Sequence, residues 1–536
     1  MVTKVIKHGV VKIINKMDIM KRFFNKYLLA TAAVVLTLIT GCTDVLEPEN
    51  TNPVNNGPYT LSLTFSKSDD LTKALSLSSD EKRILSTWDA TDVIEVWDKT
   101  RANKKGTLHP VNYSSGATQL TFSGTIDAQV GDYIVFLMNN ENEYLQQDGT
   151  LQYIAEHCDA HYTTLGFKVH AINNNKIELY DGNDQNPISS DIPFSSSNAI
   201  VKFTLTTDGT TPLNATALNV IVGDETIKVN VSAATYSTNG NGVVYVAFPK
   251  FSTSTKAIGL QATRGVKEYF YYNKEVSNFN GYHRITVTMN DAATYPLTFE
   301  AISDNTTVKF TKSNAAAIDF GTDGVQYQTI LSGTAGSWTN YTSGTVITLP
   351  KAGDKVRFRG SLQAYATSAA FNDFQAASTF NVFPTCYVYG NVMSLVSKEG
   401  FATKTTLDAS YTFISLFDSA NIKNHPCKQL CLPATSLRGY CYAHMFENCY
   451  YLTSAPILPA SNLYNQSVYY DMFKSCSRLK SVTCLATHFY DSTCTKDWLS
   501  GVASEGTLTV VAGSTWEDGP NGLPSGWTRV DYRAEP

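Results

Sequence analysis

Charge is scarce in this chain of 536 residues. Asp, Glu, Lys and Arg together make up 17%, against roughly 25% in an ordinary soluble domain. Ser, Thr, Asn and Gln must therefore supply the polar surface, as in β-rich secreted proteins rather than helical cytosolic enzymes. A basic excess is also missing. Residues 1–41 hold seven of the 42 basic side chains and one of the 47 acidic ones, which leaves 35 against 46. An acidic body without a basic stripe excludes nucleic acid as a partner, since that contact depends on Lys and Arg at phosphates. It also excludes an electrostatic grip on anionic lipid. Catalytic signatures are absent from the sequence: there is no G-x-S-x-G, H-E-x-x-H or G-x-x-x-x-G-K-[ST]. Asp319-Phe320-Gly321 stands without the Gly-rich loop, strand Lys and HRD that a kinase needs. The acid pairs Asp69-Asp70 and Asp80-Glu81 sit in polar turns. No enzyme, no cofactor and no metal is expected. With 43% hydrophobic and 12% aromatic residues, the chain has ample core material, so global disorder is excluded.

Long apolar runs are lacking too. The run 27–39 (YLLATAAVVLTLI) has 13 residues, short of the roughly 20 that span a bilayer and suited to a signal-peptide core. Lys21, Arg22 and Lys26 precede it as a basic n-region, and Ile39-Thr40-Gly41-Cys42 follows. This arrangement resembles the lipobox of bacterial lipoproteins, which implies cleavage before Cys42 and acylation of that residue. Residues 1–41 then read as a lipoprotein signal peptide, with translation starting at Met17 or Met20. Residues 42–58, polar and rich in Pro and Asn, read as a flexible tether. The membrane is met through the N-terminal lipid, several acyl chains holding firmly where one would not. The expected location is the outer membrane and cell surface.

From Tyr59 the pattern alternates. Tyr59, Leu61, Leu63 and Phe65 interleave with Thr60, Ser62 and Thr64, the signature of a half-buried strand. Further strands are expected at 93–97, 133–138, 200–205, 218–222, 243–248, 269–272 and 284–289, with turn residues between them. Short strands with turn chemistry predict β-sandwiches rather than βαβ units. The stretch 186–194 (NPISSDIPF) suggests a division, giving bodies at 59–190 and 191–291, then a small β domain at 292–375. Thr72-Lys73-Ala74, Trp88-Asp89-Ala90-Thr91-Asp92, Phe122-Ser123-Gly124-Thr125-Ile126 and Gly281-Tyr282-His283-Arg284-Ile285 stand in an order that resembles the fimbrillin-like surface lipoproteins, the major and minor fimbrial subunit families. The resemblance covers about residues 55–291. It implies tandem transthyretin-like β-sandwiches and assembly with other fimbrial subunits by strand exchange after cleavage at an Arg. Arg83, in Glu81-Lys82-Arg83-Ile84, is the Arg placed soonest after the first strand and is the candidate cleavage site.

Residues 376–536 contain a repeat. Met445, Cys449 and Leu452 return as Met472, Cys476 and Leu479, 27 residues on, and Leu432-Pro433-Ala434 returns as Leu458-Pro459-Ala460. A unit this short cannot bury its apolar face alone and must stack. Leu437, Cys441, His444/Met445, Val468 and Met472 suggest a helical stripe in each unit, and 494–502 a further helix-like segment. The pattern resembles BspA-like leucine-rich repeats over roughly 410–500. That resemblance implies a short α/β solenoid of about three copies, with Leu416-Phe417 beginning a capping unit.

Seven of the ten cysteines fall between 427 and 494. Cys449 and Cys476 share one repeat position, and Cys431 and Cys484 match the slot of Ile457, so apolar packing is the favoured reading. A Cys449–Cys476 disulfide and a zinc cluster built on Cys427, Cys431, Cys441 and Cys449 are the alternatives. Glu156-His157-Cys158-Asp159-Ala160-His161 is the densest set of metal-capable side chains, in a stretch that reads as strand and loop. Tyr440, Tyr442, Tyr464, Tyr469 and Tyr470 crowd the repeats and are the candidate ligand contacts, for a protein or glycan on a host or neighbouring cell; walling the solenoid core is the alternative. The expected function is adhesion, by a fimbrial tip or accessory protein or a free-standing adhesin with the repeats as its head. The alternatives are a polymerising shaft subunit and a glycan-capture lipoprotein.

Overall fold

The computed structural model describes residues 58–532 except 68–73, 78–83, 139–142, 159–160, 163–165, 174, 182–186, 189–191, 252–253, 278, 313–319, 321–323 and 372–376. Cys42 and Arg83, with the proposed signal peptide and tether, lie outside the described residues apart from Pro58. The structure is mainly β, in several sheets.

The first body is a nine-stranded sheet that folds on itself. Its first strand, Tyr59–Lys67, is bonded along both edges by three neighbours, one of them Lys176–Tyr180, which meets it in parallel at Thr60. It runs antiparallel to Gln119–Ile126 over eight residue pairs and parallel to Ile192–Ser196. The expected alternation is present, with Leu61 and Phe65 buried while Thr60 and Ser62 face solvent. Phe65 meets Phe122, Phe136 and Phe194 edge-on, with interplanar angles of 85°, 74° and 83°. The strand Ile192–Ser196 belongs to this sheet and Asn198–Thr206 to the second body, so the expected division at 190/191 falls before the last strand of the first body.

The second body faces a three-stranded sheet (Val243–Pro249, Asn198–Thr206, Tyr282–Thr288) against a six-stranded one. The segment 143–158 crosses to it from the first body. Gln146–Gln147 pairs with Glu225–Val229, and Ile154 and Cys158 pack on Ile200 and Tyr245. The buried Gln147 amide completes an edge. Its Nε2 donates to the Ala247 carbonyl at 2.7 Å and its Oε1 accepts from the Ala247 N–H at 2.9 Å. One side chain thus satisfies backbone groups that a further strand would otherwise satisfy.

The third body and the repeats share one core, which runs from Leu297 to Trp527. The expected boundary at 375/376 falls inside it, because Thr379–Phe383 pairs with Thr306–Thr311 and Cys386–Asn391 pairs with Leu297–Ala301. The repeat units are not helical. Four rungs, at 411–420, 440–449, 467–476 and 493–502, are ribbons of overlapping turns. In the second rung the N–H groups of Cys441, Ala443, Met445, Glu447 and Cys449 each bond the carbonyl three residues back. The N–H groups of Tyr440, Tyr442, His444, Phe446 and Asn448 bond carbonyls of the third rung. Every fourth residue is left-handed: Tyr411, Ser415 and Ser419; Tyr440, His444 and Asn448; Ser467, Asp471 and Ser475; Asp497 and Gly501. Such a conformation costs a non-glycine residue roughly 1–2 kcal/mol, and none of these positions carries a β-branched side chain. Inter-rung hydrogen bonds and aromatic burial offset that cost.

The resulting period is four residues, two inward and then two outward. Tyr442, Met445 and Phe446 face the core, while Ala443 and His444 face away toward a smaller cluster on the other side. A period of four is close enough to 3.6 that over ten residues it imitates a helical stripe. Inward rings repeat from rung to rung in two ladders. One runs Tyr365, Phe413, Tyr442, Tyr469, Trp498, Trp516, and the other Phe380, Phe417, Phe446, Phe473. Beyond the rungs, Ser481–Cys484, Gly506–Val511 and Trp527–Tyr532 form a parallel sheet.

The repeats also meet the second body. Cys427 Sγ donates to the carbonyls of Leu260 (3.2 Å) and Tyr271 (2.8 Å), and the Tyr532 hydroxyl donates to the Gly265 carbonyl. Beside Cys427, Lys428 Nζ lies 2.8 Å from the buried Glu300 carboxylate, which also accepts from the Tyr389 hydroxyl at 2.8 Å. Burial opposes ionisation of Glu300, but Lys428, Lys355 and His425 outweigh it and hold the carboxyl below its ordinary range.

Candidate functional site

The outward positions of the rungs form a face built in columns. One column is Ile414, Ala443, Tyr470, Lys496; the next is Ser415, His444, Asp471, Asp497; a third is Asp418, Glu447, Lys474, Ser500. Because the rungs are bonded backbone to backbone, each column is a fixed row at close to strand spacing. An Ala-rich segment covers the first two rungs, with Ala366, Ala370 and Ala377 packing on Ile414 and Ala443. Tyr411 and Tyr440 stack there at 4.9 Å and 7°. On the later rungs Lys496 Nζ stands 5.5 Å above the Tyr470 ring, and His444 tilts against the same ring at 5.3 Å.

Between the second and third rungs lies a charge cluster. His444 Nδ1 is 2.7 Å from Glu447 Oε2 and 3.7 Å from Asp471 Oδ2. Lys474 Nζ is 2.9 Å from Asp471 Oδ2 and 3.9 Å from Glu447 Oε1. His444, Glu447 and Asp471 are the one set of three metal-capable side chains within reach of one another among the described residues. The Lys474 ammonium already supplies a cation to both carboxylates, so the cluster is an ion-pair network across two rungs. Burial raises the Asp471 carboxyl against the opposing pull of Lys474 and His444, and the hydrogen bond to Asp471 raises the Lys474 ammonium.

The five tyrosines expected to meet a ligand divide. Tyr442 and Tyr469 are 1% and 0% exposed. They are rungs of the core ladder and cannot touch a partner, because the two-in, two-out period points them inward. Tyr440 and Tyr470 are half-buried on the outer face. Tyr464 is 60% exposed, but it stands away from that face, near His488.

The nine described cysteines are all buried free thiols, so the Cys449–Cys476 disulfide is not formed. Each of that pair instead donates to the rung before it, Cys449 to the Phe417 carbonyl and Cys476 to the Phe446 carbonyl, both at 3.0 Å. Cys427 and Cys431 turn toward the second body while Cys441 and Cys449 face the repeat core, which leaves no zinc cluster among them. Residues 151–158 form a short helix with a π turn rather than strand and loop, and His157 packs on Tyr153 at 4.4 Å. The segment expected to begin a capping unit at Leu416-Phe417 is a full rung at 411–420, whose left-handed positions are Tyr411, Ser415 and Ser419. Small or polar residues at every fourth position were the available signal.

No family model matches the chain, and no curated protein matches it. Among solved structures it is similar to a candidate cell adhesion protein from Parabacteroides distasonis, at 12% identity and a TM-score of 0.22 over 43% of this chain and 90% of that one. It is similar to another from Bacteroides uniformis at 10% identity, with a TM-score of 0.23 over 43% and 97%. A fimbrial protein from Bacteroides ovatus matches at 10% identity, with a TM-score of 0.20 over 52% and 58%. Scores this low establish no common fold.

Proposed function

We propose that the chain is a lipid-anchored surface adhesin: its repeats make the contact and its fimbrillin-like bodies form the stalk. One observation carries this reading. Tyr470, Lys474, Lys496 and Asp497 stand in rows on a backbone locked rung to rung, with the buried Asp471 holding Lys474 in place, far along the chain from the lipobox cysteine Cys42. A pre-ordered face of Tyr and paired charges loses little entropy when it docks. The length of chain after residue 291 supports a tip, accessory or free-standing role over a bulk shaft subunit, because the fimbrillin-like resemblance implies that a shaft subunit donates its C-terminal strand to the next, and here that end is occupied by further domains. The rung-to-rung stacking supports a leucine-rich-repeat-like reading of the repeats, with turn ribbons where helices were expected.

The reading is tested on intact cells. An antibody to the repeats should label unpermeabilised cells, and Cys42→Ser should abolish that labelling together with cell-to-cell aggregation. Labelling that appears only after permeabilisation overturns surface display. Tyr470→Ser combined with Lys496→Glu should reduce aggregation while leaving surface labelling intact.

One observation favours polymerisation as a second reading. The strand Tyr59–Lys67 is paired on both sides, so cleavage at Arg83 and release of this strand would leave a groove lined by Phe122, Phe136 and Phe194 for a neighbour's strand. Arg-specific proteolysis of the mature chain followed by electron microscopy decides it: long regular fibres would overturn the tip role.

A further inference from the structure

The first aromatic ladder runs out of rungs. Tyr442, Tyr469 and Trp498 are enclosed by the rings before and after them. Trp516 is the last ring. It stacks on Trp498 at 5.3 Å and 20°, meets Phe489 edge-on at 5.0 Å and is only half-buried. Its indole N–H is buried and has no acceptor among the described residues. Trp516 and Phe489 line a cavity of about 390 Å³, at the lower end of the range for small-molecule sites.

The remaining lining is polar and of both hydrogen-bonding kinds. Asp491 accepts from the Thr493 N–H and hydroxyl and, at 4.0 Å, from the Cys494 thiol, all through Oδ1, which leaves Oδ2 uncommitted among the described residues. Asn521 accepts from the Asp497 N–H through Oδ1, which leaves its amide N–H₂ to donate. Glu517 is exposed at the rim, and Thr495 adds a hydroxyl. Among the described residues no Lys or Arg lines the cavity.

We propose that this cavity binds a neutral saccharide, the apolar C–H face of a pyranose lying against Trp516 and Phe489 and its hydroxyls meeting Asp491, Glu517 and Asn521. A sugar ring has one apolar face and a rim of groups that both donate and accept, and the cavity offers the complement of each. The two carboxylates exclude phosphorylated or acidic ligands by like-charge repulsion. The carboxylates also attract an ammonium ion, but the four neutral polar residues Ser492, Thr495, Thr515 and Asn521 beside only two rings suit a polyol better, since an ammonium ion calls for a fuller aromatic cage. The proposal rests on the repeats being the contact-making part of an adhesin, and it names the ligand class.

The experiment uses the mature full-length chain on an immobilised array of neutral hexose and N-acetylhexosamine oligosaccharides, followed by titration of the strongest binder by tryptophan fluorescence. Trp516→Ala should weaken binding about tenfold or more, and Glu517→Ala, at an exposed site, should weaken it several-fold with an unchanged melting curve. Absence of binding across the array overturns the site. So does binding that Glu517→Ala leaves unaltered, or fluorescence that responds to tetramethylammonium and not to sugars. Cells whose aggregation depends on the intact chain but not on Trp516 or Glu517 would overturn the saccharide site alone. Labelling of cells carrying the intact chain that appears only after permeabilisation would overturn the adhesin reading alone.

Discussion

The first body and the repeat stack both fill their cores with aromatic rings, but they orient them differently. Around Phe65 and Trp88 the rings cross at 60–85°. In the second ladder Phe417, Phe446 and Phe473 lie nearly parallel, at 18° and 7° and a spacing of 5.3 Å. The cause is symmetry. Strands of the first body arrive from different directions, so their side chains meet edge to face. A rung is carried onto the next by translation, so each ring keeps its neighbour's orientation. The sheet core is therefore a local cluster, and the ladder is a chain in which each ring supports the next.

Deleting one ring from each core tests that contrast. Phe446→Ala and Phe65→Ala should each cost about 4 kcal/mol in denaturant unfolding. In hydrogen exchange the first should deprotect the rungs on both sides, while the second should leave the repeats protected. Equal spreading in the two variants would erase the distinction. Lys428→Met tests the joint between the bodies and should cost about 3 kcal/mol, because Glu300 is left buried with its main countercharge removed. Adding Glu300→Gln should recover most of that loss.

A pH titration sharpens the same boundary. Burial pushes the Glu268 carboxyl, beside Cys431, up from 4.5 to about 8. The folded chain therefore keeps a proton that the unfolded chain releases, and this contribution to stability is lost as pH rises from about 4.5 to 8. Glu268→Gln should flatten the decline over that window, and an unchanged slope would place the cause elsewhere. The smallest effect belongs to the turn ribbon. Ser475→Gly should stabilise by up to about 1 kcal/mol, because the residue is left-handed and Gly501 holds the same place one rung on. Ser475→Val should destabilise by more than that, since a β-branched residue resists a positive φ. Thermal melts of the pair measure both.

Much of the β architecture was legible. The alternation from Tyr59 to Phe65 marks a strand because a period of two fits no helix, and the apolar run at 133–138 marks one by its shortness and the turn residues that bound it. The 27-residue repeat was legible as stacking, but its conformation was not. A four-residue period in Cys441, Met445 and Cys449 passes for a helix unless the left-handed slots at Tyr440, His444 and Asn448 are noticed. The same ambiguity turned Tyr442 and Tyr469 into candidate contacts, since a helical wheel cannot separate adjacent residues that face in from those that face out.

The sequence alone determined the local terms: strand alternation, the repeat length, the acidic balance and the cysteine slots that trade with Ile. These are properties of neighbouring residues and of a repeat compared with itself. Tertiary structure alone decided where the bodies begin and end, which tyrosines are buried, and that Phe489, Trp516 and Asn521 share one cavity. Those facts depend on segments far apart in the chain being brought together, and burial is a property of the assembled surroundings rather than of the residue.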